Sequence, residues 1–187
     1  MRPVGPVADF NRKVAGIFRH YRQSHDYVTE KTGGCYKLTE LGAWATSRPA
    51  HIFYFFKRLD LSRYALFADL GSGDGLVACI AGLFTLSVGV EIDLGLCARA
   101  GRSSAELGLD GRVKYVCADY LTQRIRRADC LYLYPDKPLD ALEGILAEWG
   151  GSLLVYGPHI PPRWLTGVET LHCGRERMVR YEKSIST

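Results

Sequence analysis

The segment Tyr64–Gly75, reading Tyr-Ala-Leu-Phe-Ala-Asp-Leu-Gly-Ser-Gly-Asp-Gly, constrains the fold more than any other part of the chain. Its nearly continuous apolar run ends at Asp69-Leu70, the pattern of a strand buried on both faces in a parallel sheet. Glycines at alternate positions, Gly71, Gly73 and Gly75, follow at once, and Gly75–Phe84 reads as a helix. A strand that turns over bare backbone into a helix lets main-chain amides approach a ligand closely. The first turn of that helix adds unpaired N–H groups and partial positive charge to the same space. Glu91, 22 residues beyond Asp69, stands near the end of the next strand, where a carboxylate can accept both hydroxyls of a ribose.

Beyond this turn, short apolar runs alternate with helical patterns. Ser87–Ile92, Val113–Cys117, Cys130–Tyr134 and Ser152–Tyr156 read as strands, and Leu94–Leu107 and Leu139–Trp149 as helices. Gly167–Cys173 and Arg177–Lys183 flank Gly174-Arg175, which reads as a hairpin turn. The expected fold is α/β: a doubly wound, mostly parallel seven-stranded sheet with helices on both faces, closed by a C-terminal antiparallel hairpin. Ahead of it, Val7, Phe10, Val14, Ile17, Phe18 and Tyr21 recur at helical spacing, predicting an amphipathic helix from Val7 to about Tyr27. A loop over Thr32–Tyr36 and a short helical turn near Leu38–Trp44 follow. Ser47 is the expected cap of a further helix that begins at Arg48-Pro49 and runs to about Leu59.

A length of 187 residues fits one domain, and an apolar share of 47% with 24% charged is ordinary globular composition. Residues 1–10 hold two prolines, an aspartate and no apolar core of a secretory leader. The longest apolar stretch, Gly75–Val90, is interrupted by Gly82, Thr85, Ser87 and Gly89, which argues against a bilayer helix. A cytoplasmic protein is therefore expected. The six cysteines show no C-x-x-C and no Cys/His cluster at zinc spacing, so no metal is expected. Cys79, Cys97, Cys117, Cys130 and Cys173 sit in apolar segments as expected buried thiols, and Cys35 sits in a loop after Gly33-Gly34. Residues 1–63 carry 11 Lys/Arg against 5 Asp/Glu, whereas the rest carries 13 against 15. This basic front end reads either as a solvated helical face or as a docking face for an acidic partner or nucleic acid.

Asp69-Leu70-Gly71-Ser72-Gly73-Asp74-Gly75 resembles the first motif of the class I, Rossmann-like superfamily of S-adenosylmethionine (SAM)-dependent methyltransferases. Gly89-Val90-Glu91-Ile92-Asp93 is similar to the second motif, and Ala118-Asp119-Tyr120 to the adenine-contacting motif after the third strand. The closing hairpin also matches that fold, whose seventh strand is antiparallel. The resemblance implies SAM as cofactor, S-adenosylhomocysteine as product, and a binding set of Asp69, Gly71, Ser72, Gly73, Asp74, Gly75, Glu91, Ile92, Asp119 and Tyr120. Asp69, Gly71 and Gly73 would surround the methionine end, Glu91 would hold the ribose, and Ile92 would pack on the adenine. Asp119 would accept from the adenine amino group, with Tyr120 beside the ring. It further implies residues 1–60 as a helical extension or gate packed on a SAM-binding domain of residues 61–187. Gly73-Asp74-Gly75-Leu76-Val77-Ala78 also satisfies the G-x-G-x-x-A of NAD-dependent enzymes, with Glu91 as the ribose acid. Against that stand Asp69 beneath the turn and the acidic Asp74 and Asp119, which suit a sulfonium and an amino group better than a pyrophosphate.

Tyr132-Leu133-Tyr134-Pro135-Asp136-Lys137-Pro138 follows the fourth strand, where the transferable methyl faces in this fold. It departs from the Asn/Asp-Pro-Pro-aromatic motif of amide- and adenine-methylating members, which counts against those acceptors. Gly42–Pro49 looks like a gate segment, and the layout is similar to that of small protein-lysine methyltransferases. That implies a protein amine as acceptor ahead of a small molecule, with nucleic acid behind both and no membrane partner. Holding an acceptor in line is worth roughly 7–11 kcal/mol in favourable cases, so a dedicated base is optional. Tyr134, Asp136 and His159 are the candidates for assisting an amine. Their structural readings are core packing, a helix cap and a loop position respectively. His20, His25, His51 and His172 show no partner pattern. A small-molecule methyltransferase and a non-catalytic binding protein of this fold are the alternatives, ahead of an NAD-dependent enzyme.

Overall fold

The computed structural model describes residues 7–32, 36–39, 42–45, 47–157 and 160–184, with side chains described for 8–23, 47–157 and 160–184. Helix α1 (Val7–Thr32) and the two-stranded β1 (Tyr36–Thr39) and β2 (Gly42–Ala45) precede α2 (Pro49–Arg58). Strand and helix then alternate through β3 (Leu66–Leu70), α3 (Leu76–Ala81), β4 (Leu86–Glu91), α4 (Leu94–Glu106) and β5 (Val113–Cys117). Two single 3₁₀ turns, Tyr120–Thr122 and Ile125–Arg127, take the place of a helix before β6 (Cys130–Leu133). The chain continues through α5 (Asp140–Leu146), β7 (Ser152–Tyr156), β8 (Thr166–Cys173) and β9 (Glu176–Glu182).

The main sheet is ordered β5-β4-β3-β6-β7-β9-β8, parallel from β5 through β7 and antiparallel at β9 and β8. The order reverses between β3 and β6, so the carboxyl ends of these strands open the crevice where ligands bind in such sheets. The expected seven-stranded sheet and closing hairpin are thus observed, with Gly174 at φ +61 in the turn. Two apolar layers hold the sheet. One joins α1, α2 and α3 to Phe67, Cys130, Tyr132, Leu154 and Tyr156; the other packs Leu139, Leu142 and Leu146 against Leu70, Leu131, Leu133 and Leu153. Alternation along each strand sends successive residues to opposite layers.

Three local expectations are corrected. Residues 36–45 form a hairpin, with Tyr36 opposite Ala45 and Lys37 opposite Trp44, not the helical turn expected near Leu38–Trp44. Apolar spacing over so few residues does not separate a strand from a turn of helix. Ser47 does not cap α2. Arg48 occupies the N-cap position with an extended ψ of 123° and no side-chain capping bond, because a residue before proline is held out of the helical region. Cys117 is exposed, since β5 is an edge strand, whereas Cys79, Cys97 and Cys130 are buried. Cys35 lies outside the described residues.

Helix α1 reaches the glycine turn directly. The buried Tyr21 hydroxyl donates to the Asp74 carbonyl at 3.1 Å and lies 3.5 Å from Cys79 Sγ. Tyr21→Phe keeps the packing and removes this tie, so we expect a loss of about 1 kcal/mol in urea unfolding. A loss below a few tenths would show that the hydroxyl does not help to hold the loop.

Candidate functional site

The site grows from one row of residues across the sheet. Register places Tyr115, Gly89, Asp69, Tyr132 and Leu154 side by side on neighbouring strands. Gly89 lacks a side chain, and a Cβ there would stand 2.6 Å from both Ser72 Oγ and Tyr115 Cδ1. Tyr115 fills that gap and donates to the Gly75 carbonyl at 3.3 Å, bracing the turn from below. Burial raises the Tyr115 hydroxyl far above its ordinary range and the Cys79 thiol beside it to about 11, so both stay protonated at neutral pH.

Backbone bonds shape the turn itself. The Gly71 and Ser72 amides donate to the Val90 carbonyl at 2.9 and 3.0 Å, and the Gly75 amide donates to Ser72 at 2.9 Å. Gly71, Gly73 and Gly75 all take positive φ, at +79, +55 and +87. The glycines differ in what surrounds them. A Cβ at Gly71 would meet nothing within 4 Å, so open space lies above it. A Cβ at Gly75 would stand 2.5 Å from Tyr115 Oη and 2.8 Å from Ala100 Cβ. Gly75 therefore serves helix–sheet packing, and Gly71 is the bare surface.

Glu91 is only 7% exposed, and its carboxylate accepts from the Gly73 amide at 2.7 Å and the Asp93 amide at 2.9 Å. It fastens the turn to the start of α4, where Asp93 caps the helix through the Leu96 amide at 2.8 Å. Four acceptor sites on a carboxylate leave capacity for a further donor. Ile92 beside it is 47% exposed, an apolar surface facing outward at the crevice edge.

Asp69 is 2% exposed, and its Oδ2 has no hydrogen-bond partner among the described residues. Burial and, next, the neighbouring Glu91 push its carboxyl well above the usual carboxylate range. Ser72 Oγ and His51 Nδ1 are likewise buried without a partner among the described residues. Asp74 is buried, and its Oδ1 lies 3.4 Å from the Leu76 amide. Asp119 caps the Tyr120–Thr122 turn through the Leu121 amide at 2.9 Å. Tyr120 is half-buried with Lys137 6.0 Å from its ring, and burial, then Asp136 and Asp119, raise its hydroxyl.

On the other side of Asp69 lie three tyrosines, of which only Tyr134 was a candidate from the sequence. Tyr134 stands edge-on to Tyr156 with centroids 5.0 Å apart, and Tyr132 lies 6.5 Å from Tyr156. Ser47 and Asp69 flank the Tyr132 hydroxyl. Burial and a bond to Glu176 raise the Tyr156 hydroxyl far above its ordinary range. Asp136 is exposed, and α5 starts from Leu139 without a side-chain cap, so Asp136 is not the cap considered for it. His159 lies outside the described residues. Tyr115, Tyr156, Ser47 and His51 were missed as site residues, because only strand register and the approach of α2 reveal their neighbours. Among the described residues no cluster of His, Cys, Asp and Glu could hold a metal ion, and no helix is long and apolar enough to cross a membrane.

No family model matches the chain. A curated N,N-dimethyltransferase of Streptomyces rimosus, OxyT, is 30% identical over 142 residues, covering 70% of this chain and 41% of that protein. The chain thus spans about two fifths of the length of the curated relative it matches. Among solved structures, an RNA methyltransferase from Salinibacter ruber in complex with S-adenosyl-L-homocysteine has a TM-score of 0.65 at 23% identity, covering 77% of this chain and 97% of that one. The N,N-8-amino-8-demethyl-D-riboflavin dimethyltransferase from Streptomyces davawensis has a TM-score of 0.59 at 16% identity, covering 72% and 54%. With this strand order, closing hairpin and glycine turn, the chain has the fold of the class I, Rossmann-like SAM-dependent methyltransferases.

Proposed function

We propose that this chain is a SAM-dependent methyltransferase with an amine as methyl acceptor. The observation that carries the reading is the pairing of a bare, open turn at Gly71 with a buried, unsatisfied carboxylate oxygen on Asp69 just beneath it. A buried charged oxygen without a donor is costly unless a ligand supplies one, and the ammonium of a methionine moiety is such a donor. A diphosphate would instead meet carboxylate repulsion at Asp69. SAM, when bound, supplies an electrophilic methyl group on a sulfonium.

The residues present fit that group. Asp69 and Ser72 would take its amino-acid end over Gly71 and Gly73, with Asp74 and Gly75 shaping the turn from behind. Glu91 would accept from the ribose hydroxyls, and the exposed Ile92 would cover one face of the adenine. Asp119 and Tyr120 would bound the adenine on the opposite side.

On the acceptor side, the half-buried Tyr134, backed edge-on by the buried Tyr156, would pack against a neutral amine and strip its water. Tyr156 keeps its proton at neutral pH, so it does not serve as a base. Asp136, exposed at the same loop, would draw a cationic amine toward that ring, and the amine would give its proton to solvent before accepting the methyl group. An amine acceptor is supported by the N,N-dimethyltransferase of Streptomyces rimosus and the riboflavin-type dimethyltransferase, whose names both specify methylation at nitrogen. The riboflavin-type name favours a small-molecule amine over the protein lysine expected from layout alone.

Two measurements test this. SAM and S-adenosylhomocysteine should raise the melting temperature while NADH leaves it unchanged; a response to NADH alone refutes the cofactor assignment. Incubation with radiolabelled SAM and a lysate separated into protein, nucleic acid and small molecules should place the label on a small-molecule amine. Label confined to nucleic acid refutes the amine.

A further inference from the structure

A cavity of about 450 Å³ lies away from the glycine turn, lined by Gln123, Arg124, Arg126, Arg127, Gly144 and Ile145. The chain descends from the carboxyl end of β5 to the amino end of β6 through the turn Ile125–Arg127, and α5 descends beside it toward the start of β7. Gly144 and Ile145 belong to the end of α5, so the cavity lies between that helix and the segment that leads into β6.

The arrangement is built rather than incidental. Ile125 is buried in the same apolar layer as Leu142 and Leu146, which anchors the turn and leaves Arg124, Arg126 and Arg127 exposed around it. The Arg127 amide donates to the Arg124 carbonyl and the Ala128 amide to the Ile125 carbonyl, both at 3.1 Å. Trp149 Nε1 donates to the Ala128 carbonyl at 2.8 Å and fixes the following residue. Gly144 keeps the facing wall low, and the half-buried Ile145 gives it an apolar patch. Among the described residues none of the three guanidiniums forms an ion pair. Asp129, the nearest acid in sequence, is committed to the Ala65 and Leu66 amides at 2.8 and 2.9 Å.

Three unpaired guanidiniums on a short fixed turn match the several acceptor oxygens of a phosphate, which arginine engages in paired hydrogen bonds. The volume falls within the range of small-ligand sites and exceeds what a bare phosphate fills. We propose that this cavity binds the phosphate of a nucleotide unit, with the sugar or base resting on Ile145 and the amide of Gln123 as an additional polar contact. The unit comes either free or as part of an RNA strand. This site is separate from the proposed cofactor site and stands whether or not the chain transfers methyl groups.

Calorimetry with uridine monophosphate, pyrophosphate and a short oligouridylate tests it, since none of these carries the adenine that the crevice would take. A triple variant, Arg124→Ala, Arg126→Ala and Arg127→Ala, changes exposed side chains and leaves the core intact. A control triple of equal charge, Arg19→Ala, Arg22→Ala and Arg102→Ala, changes exposed arginines on α1 and α4. The wild type should bind uridine monophosphate or the oligouridylate, the cavity triple should weaken that binding about tenfold or more, and the control triple should leave it within about twofold. Oligouridylate binding without monophosphate binding identifies the source as a strand, and comparable binding of both identifies a free nucleotide. Absence of binding to the wild type, binding of pyrophosphate alone, or equal losses in the two triples overturns the proposal.

Discussion

Asp69→Asn should make the ligand-free protein more stable and weaken its hold on SAM. The native carboxyl is buried, carries an oxygen without a partner among the described residues, and faces Glu91. Its affinity for a proton is therefore higher in the folded chain than in the unfolded one. Stability from this group is fully present below the ordinary carboxylate range near pH 4, and it declines as pH rises through the raised folded value. Asparagine removes the charge at every pH. The ligand-free variant should melt about 2–4 °C higher at pH 8, the shift made by one kcal/mol in a chain of this length, and the decline with pH should flatten. Affinity for SAM should fall about ten- to a hundredfold, because an ammonium would lose its charged acceptor. Melting curves between pH 4 and 8, with and without SAM, check both halves. A variant that is less stable and binds SAM as well as the wild type would mean that Asp69 is a structural acid.

The glycines of the turn should separate into two kinds under substitution. Gly75→Ala forces a side chain into φ +87 and drives a methyl to 2.5 Å from Tyr115 Oη and 2.8 Å from Ala100 Cβ. Strain and overlap together should cost about 2–5 kcal/mol in unfolding, and SAM affinity should fall with the fold. Gly71→Ala carries similar strain at φ +79 but meets open space. It should cost only about 1–2 kcal/mol, while its methyl occupies the surface over which the ligand lies and reduces SAM affinity about tenfold or more. Relieving the contact in Gly75→Ala with Tyr115→Leu should recover part of its stability and none of the Gly71→Ala defect. Urea unfolding and calorimetry on the wild type, the two glycine variants and each of these combined with Tyr115→Leu decide this. Equal stability losses at the two glycines would erase the distinction.

Much of this was legible in order along the chain. The apolar run into Asp69-Leu70, the alternate glycines, and Glu91 at the end of the next strand are local signals. Each depends on residues a few positions apart, and the structure places the main-sheet strands within two residues of the expected limits. The hairpin announced by Gly174-Arg175 is local in the same sense. The segment Leu38–Trp44 was misread because pairing between β1 and β2, rather than side-chain spacing, decides its conformation. The cap at Ser47 failed because the restriction that Pro49 places on Arg48 outweighs the capping preference of serine.

The sequence by itself determined the sheet, its order of strands and helices, and a bare acidic turn suited to a cationic nucleoside, since backbone and burial periodicity are properties of neighbours along the chain. Only the tertiary structure decided which glycine faces open space and which supports packing, that Glu91 is tied to the Gly73 and Asp93 amides, and that Tyr132, Tyr134 and Tyr156 share one face. It also decided that Gly144 and Ile145 face the three neighbouring arginines across one cavity. These relations are made by strand register and helix approach, which bring together residues tens of positions apart, and no local pattern encodes those distances.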